Sequence, residues 1–107
     1  NYLPLAEEVK IVAARVPSFE NMELLNSMVT LAQLTRNGFA VGDLSTLMSP
    51  RTVISWAENY QIFNSMQTAF QYSFLNKCSD DEKPLVAEYY QRCFDDELEV
   101  SYANAAS

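Results

Sequence analysis

Apolar residues recur along this chain at the spacing of helices rather than of strands. Leu5, Val9, Val12 and Val16 fall at i, i+4, i+7 and i+11, one face of a helix from about Pro4 to Val16 that Pro17 stops. A second helix is predicted from about Glu20 to Asn37. Met22, Leu25, Met28, Val29 and Ala32 share its broad apolar side, Asn26, Thr30, Gln33 and Asn37 line the other, and Gly38 supplies the C-terminal stop. The period is lost from Phe39 to Met48, where Gly42-Asp43 reads as a turn and Leu44 to Leu47 has room for a short extended piece.

The third helix is predicted from Pro50 to about Phe63. At about 100° per residue, Val53, Trp56, Ala57, Tyr60 and Phe63 form its apolar stripe, and Arg51, Ser55 and Glu58 fall opposite. Asn64-Ser65 breaks the pattern and caps a fourth helix, roughly Met66 to Asn76, with Met66, Ala69, Phe70, Ser73 and Phe74 inward. Ser79-Asp80-Asp81-Glu82 then offers competing caps for a fifth. Ser79 with Glu82 matches a capping box, but Asp81 is preferred because it seats Pro84 in the first turn. Leu85, Val86, Tyr89 and Cys93 face inward from that helix, and the Tyr89-Tyr90 pair reads as core plus rim. The expected fold is all-α, a compact four- to five-helix bundle over residues 1–98, followed by a frayed tail over 99–107.

Composition narrows the function. A chain of 107 residues builds one domain, and 49% hydrophobic content with one Trp, six Phe and six Tyr supports a core rather than disorder. The net charge of −7, with its seven cations scattered, excludes a nucleic-acid footprint. No apolar run approaches the roughly 20 residues of a membrane span. Cys78 and Cys93 are too few and too far apart for a zinc site and there is no histidine, so no metal site is expected; a reduced, cytoplasmic setting is the simpler reading, and Cys93 reads as a small buried hydrophobe. Neither Gly38 nor Gly42 belongs to a phosphate loop, and no nucleophile–base pair can be assembled without histidine. No catalytic residue is therefore expected within this chain.

One element stands apart. Ser49 is suited to cap the third helix and Pro50 to fill its first position, where a missing N–H costs nothing. The free N–H groups of such a start favour an anion. Arg51 adds a planar, permanent cation suited to phosphate oxygens and directed away from the core stripe.

The run Gly42-Asp43-Leu44-Ser45-Thr46-Leu47-Met48-Ser49-Pro50-Arg51-Thr52-Val53-Ile54-Ser55-Trp56-Ala57-Glu58-Asn59 resembles the C-terminal lid of MoxR-type AAA+ ATPases. Phe74-Leu75-Asn76-Lys77-Cys78 and Val86-Ala87-Glu88-Tyr89-Tyr90-Gln91-Arg92-Cys93-Phe94 narrow the resemblance to the ATPase (S) subunits of aerobic cobaltochelatases. It covers nearly everything from Val16 to Phe94. Asn64 to Gln67, Gln71-Tyr72 and the tail after Leu98 depart from it, which bears on the contacts of the fourth helix.

The resemblance implies a helical lid following an α/β nucleotide-binding base domain, with Arg51 as the sensor-2 arginine and Ser49 and Pro50 setting its helix start. It implies ATP and Mg held by that upstream domain and none by this chain alone. The phosphate loop, Walker B acid, first sensor and trans-acting arginine are expected upstream of Asn1, so the chain reads as a fragment. The family couples ATP hydrolysis to cobalt insertion into hydrogenobyrinic acid a,c-diamide on the route to cobalamin. Its partners are neighbouring ring subunits and the T and N type cobaltochelatase subunits.

Several residues carry two readings. Ile54 and Ile62 are either incidental surface apolarity or contacts with the base domain. Trp56 is most simply a core anchor, with stacking on adenine as the alternative. Asp80-Asp81-Glu82 reads as helix-start chemistry rather than a metal site, and Asp95, Asp96, Glu97 and Glu99 as a solvated run or an acidic docking surface. At the level of the whole chain, the rivals are a lid from another MoxR-type remodelling ATPase and a self-contained acidic helical adaptor that never meets ATP.

Overall fold

Helix starts in this chain fall where a side chain can occupy the place of a missing backbone partner. The computed structural model describes residues 3–94, which form five α-helices. Three of the five helices are capped in this way, whereas α1 (Leu5–Arg15) opens on Pro4 without a side-chain cap. Asn21 caps α2 (Met22–Ala40) by accepting from the Leu24 N–H at 3.1 Å. Ser49 caps α3 (Pro50–Phe63) through the Thr52 N–H at 3.3 Å, and Ser65 caps α4 (Met66–Ser73) through the Thr68 N–H at 3.2 Å. A 3-10 turn over Leu75–Lys77 leads to α5 (Lys83–Phe94). The all-α expectation holds, and no strand forms among the described residues, so the extended piece at Leu44 to Leu47 is absent.

Helix α3 packs chiefly on α4, α2 lies against both α1 and α5, and α1 also reaches α3. Trp56 is fully buried at the centre of this arrangement. Its ring lies 4.8 Å from Phe70 and 5.6 Å from Phe94, Phe70 adjoins Phe74 and Tyr90, and Tyr90 stacks on Phe94 at 4.5 Å. The indole N–H donates to the Met66 carbonyl at 3.2 Å, so the buried polar end is satisfied. Trp56 is a core anchor with no face left for adenine.

Six details depart from the sequence pattern. Helix α2 runs through Gly38 to Ala40, and the residue that turns left-handed is Gly42, with φ of 89°. Gly38 instead gives room: a β-carbon there would stand 3.0 Å from the Tyr89 hydroxyl and 3.1 Å from Leu44 Cδ1. Helix α4 ends at Ser73 rather than near Asn76, because the backbone of Phe74 (φ −143°, ψ −53°) leaves the helix and turns both Phe74 and Leu75 into the core.

Helix α5 starts at Lys83, without Asp81 as its cap. The Ser79 carbonyl accepts from the N–H groups of Glu82 and Lys83, and the Glu82 carbonyl accepts from Leu85 and Val86. Met22 is exposed on the first turn of α2, whereas Leu31, Thr35 and Arg36 are buried farther along. Phe63 is also exposed, and stacks on Tyr72 at 5.0 Å instead of joining the core; Tyr89 and Tyr90 are both buried. The tail over 99–107, residues 95–98 of the expected domain and the acidic run Asp95, Asp96, Glu97 and Glu99 lie outside the described residues.

Candidate functional site: the cleft at the start of α3

Ser49 and Pro50 act as the sequence implies: the hydroxyl caps and the imino acid opens the helix. Arg51 follows and is exposed. It lines an open cleft of about 370 Å³ between α1 and α3, with Ile11, Arg15, Pro50, Ile54, Ser55 and Glu58. Four ion pairs join described residues (Glu7–Lys10, Glu8–Arg36, Asp80–Lys83 and Glu88–Arg92), and Arg51 takes part in none of them. Its guanidinium therefore faces the cleft with all its donors available for a ligand from outside.

Ile54 belongs to this cleft and is half-buried, its inner side packed on the core. Ile62 does not: it sits about 12 Å farther along α3 and is 73% exposed. Of the two isoleucines, only Ile54 lines the cleft. Arg15, from the last turn of α1, brings a second cation to the cleft that the sequence pattern gave no reason to single out.

Behind the helix start lies a buried polar cluster that sequence reasoning missed. Met48, the residue before the cap, has its side chain fully buried and its backbone held on both sides. Its N–H donates to Thr35 Oγ1 at 3.0 Å, and its carbonyl accepts from Arg36 Nε at 2.7 Å. The Arg36 Nη atoms donate to the two oxygens of Glu8, at 2.7 and 2.6 Å, and the Thr35 hydroxyl donates to the Ala32 carbonyl at 2.7 Å. One signal was there to be read. Glu8 lies among Leu5, Val9 and Val12, and Arg36 lies seven residues after Val29, so opposite charges stand within two apolar stripes.

The acidic triplet before α5 is split between structural duties. Asp80 pairs with Lys83 at 3.1 Å, and Glu82 accepts from the N–H and hydroxyl of Ser45. Among the described residues, no group of three or more His, Cys, Asp or Glu is placed to hold a metal ion, and no helix is long and apolar enough to cross a membrane. Cys78 and Cys93 are free thiols, Cys78 buried and Cys93 partly so.

Residues 8–87 match the family model described as CbbQ/NirQ/NorQ C-terminal. The chain is 54% identical over 107 residues to the aerobic cobaltochelatase subunit CobS of Sinorhizobium sp, an alignment covering 97% of this chain and 32% of that relative. It thus spans about a third of the relative's length. No solved structure matches. Since the family match runs from the first turn of α1 into the first turns of α5 and takes in the whole cleft-forming start of α3, the chain belongs to the CbbQ/NirQ/NorQ C-terminal family.

Proposed function

We propose that this chain is the lid domain of an AAA+ ATPase subunit of aerobic cobaltochelatase, a nucleotide-state sensor rather than a seat of chemistry. The observation that carries the proposal is Arg51, exposed at a capped helix start and engaged by no neighbouring carboxylate. Its fork and fixed charge fit the terminal phosphate of a nucleotide held by an upstream base domain, which would also supply the phosphate loop and the Mg site. Ser49 and Pro50 set the helix start, and Ile54 is the better placed of the two isoleucines to meet that base domain. ATP hydrolysis in the parent would drive insertion of cobalt, its substrate, into hydrogenobyrinic acid a,c-diamide for cobalamin synthesis in the cytoplasm. The partners are neighbouring ring subunits and the T and N type subunits.

An arginine hydrogen bond to a charged group contributes on the order of 1.5–3 kcal/mol, enough to bias a hinged lid tenfold or more toward one position. The close relationship to a cobaltochelatase subunit favours this reading over a lid from another MoxR-type ATPase. The open, unpaired arginine favours it over an adaptor that never meets ATP.

The test is Arg51→Ala in the full-length subunit. ATP-dependent metal insertion should fall by about tenfold or more, with the domain's melting temperature nearly unchanged. Undiminished insertion, or a large drop in melting temperature, would count against a sensing role.

A further inference from the structure

We infer that Thr35 and Arg36 are positioning residues for Arg51, acting through the backbone of Met48. The inference rests on the phosphate-sensing reading of Arg51 and adds the device that aims it. An exposed side chain without a partner of its own is placed only by its backbone. That backbone follows directly from Met48 through the Ser49 cap, held extended at φ −78° and ψ 166°, and through Pro50, whose ring fixes φ. The connector from Gly42 to Leu47 forms no helix or strand, and its bonds to the Gly38 carbonyl and to Glu82 end at Ser45, three residues before Met48.

The direction in which α3 starts is set from α2. Met48 has no helical or sheet partner for its amide and carbonyl, and a buried backbone must find one. Thr35 and Arg36, adjacent on α2, supply an acceptor and a donor, at 3.0 and 2.7 Å. Neither side chain is free to follow Met48 if it shifts. Arg36 is locked fork to fork on Glu8 of α1, and the Thr35 hydroxyl is committed to the Ala32 carbonyl. Three helices thus meet at the backbone of one residue, three positions before the arginine. A buried guanidinium must satisfy its Nε–H as well as its fork, and here the acceptor it takes is the Met48 carbonyl, so the ion pair and the backbone ahead of α3 are held in one network. Geometry is the term this cluster controls, and misplacement of a charged contact by about 1 Å can cost about a hundredfold in function.

Thr35→Val in the full-length subunit is the sharpest probe, because it keeps the shape and removes the acceptor of the Met48 N–H, together with the local bond to the Ala32 carbonyl. Thr35→Ser restores it. The readout is the ratio of ATP to ADP affinity, measured by calorimetry in wild-type and Arg51→Ala backgrounds. Thr35→Val should lower the ratio by about tenfold, Thr35→Ser should stay within about twofold of wild type, and in the Arg51→Ala background neither should change it further. Arg36→Lys, which keeps the charge opposite Glu8 and loses the Nε bond, carries the same comparison should Thr35→Val not fold. A lowered melting temperature with the ratio intact would make the cluster merely structural and overturn the inference. So would an equal loss in both backgrounds. If Arg51→Ala alone leaves the ratio unchanged, the sensing reading itself fails, and the inference falls with it.

Discussion

Glu8 and Arg36 face each other fork to fork across α1 and α2, at 2.7 and 2.6 Å, with 1% and 5% of their side chains exposed. Removing one partner leaves the other charge buried and uncompensated, which costs about 3–5 kcal/mol. Glu8→Leu and Arg36→Met should each lower the unfolding free energy by about that amount in urea titrations. The double variant should lose clearly less than the sum, because no orphaned charge remains. It should not regain the wild-type value, since the Met48 carbonyl has still lost its donor.

The pair also shows where reading from the sequence ends. Helix α3 is legible to its ends because its signals are local: Ser49 and Pro50 at the start, Asn64 in the left-handed region at the close. The outward placement of Arg51 follows from the same local geometry. Glu8 and Arg36 are separated by 28 residues, and Thr35 and Met48 by 13. Helical spacing says only that each of these polar residues falls among apolar ones, and not which distant group satisfies it. Gly38 is misread for the same reason, since a glycine that ends a helix and one that admits a neighbour look alike until Leu44 and Tyr89 are in place. Phe63 follows its stripe correctly, but α4 leaves the core side at that level to other rings and Phe63 pairs with Tyr72 outside.

Glu82 fastens the connector before α3 to the start of α5 by accepting from the Ser45 N–H at 3.0 Å and from the Ser45 hydroxyl at 3.1 Å. Glu82→Ala should destabilise the chain by about 1 kcal/mol and speed amide exchange at Ser45. Asp81→Ala is the control. Asp81 is exposed and caps nothing, so its loss should stay within about 0.5 kcal/mol of neutral. A larger cost at Asp81 than at Glu82 would restore the capping role that the sequence pattern assigned it.

Burial pushes the Cys78 thiol from its ordinary value near 9 up to about 11; the Glu82 carboxylate adds to the rise and Lys83 opposes it. Below pH 9 the thiol is protonated whether the chain is folded or not, and contributes no pH dependence. Between about pH 9 and 11 the unfolded chain gives up this proton and the folded chain keeps it, so stability falls as pH rises, by about 2–3 kcal/mol in all. Cys78→Ser or Cys78→Ala should flatten that alkaline limb in pH-dependent urea titrations. At neutral pH both thiols should alkylate slowly, Cys93 faster than Cys78 because it is only partly covered and lies on an outer turn of α5.

The two glycines should respond to alanine for opposite reasons. Gly42 sits at φ 89° with nothing within 4 Å of an added β-carbon, so Gly42→Ala costs only the left-handed backbone, about 1–2 kcal/mol, and Gly42→Asn should recover part of it. Gly38 lies inside α2, where alanine would gain about 1 kcal/mol of helix propensity. Its methyl would press on the Tyr89 hydroxyl and on the side chain of Leu44, which is buried in the core and has little space to swing into. Overpacking of this kind costs about 1–3 kcal/mol, so it outweighs the propensity and Gly38→Ala should be net destabilising by about 1 kcal/mol. Tyr89→Phe separates the two cases, since it removes the closest contact at 3.0 Å. In calorimetric melts it should rescue part of the loss in Gly38→Ala and none of the loss in Gly42→Ala. Equal behaviour in both backgrounds would mean that Gly38, too, is held for its backbone and not for the space it leaves.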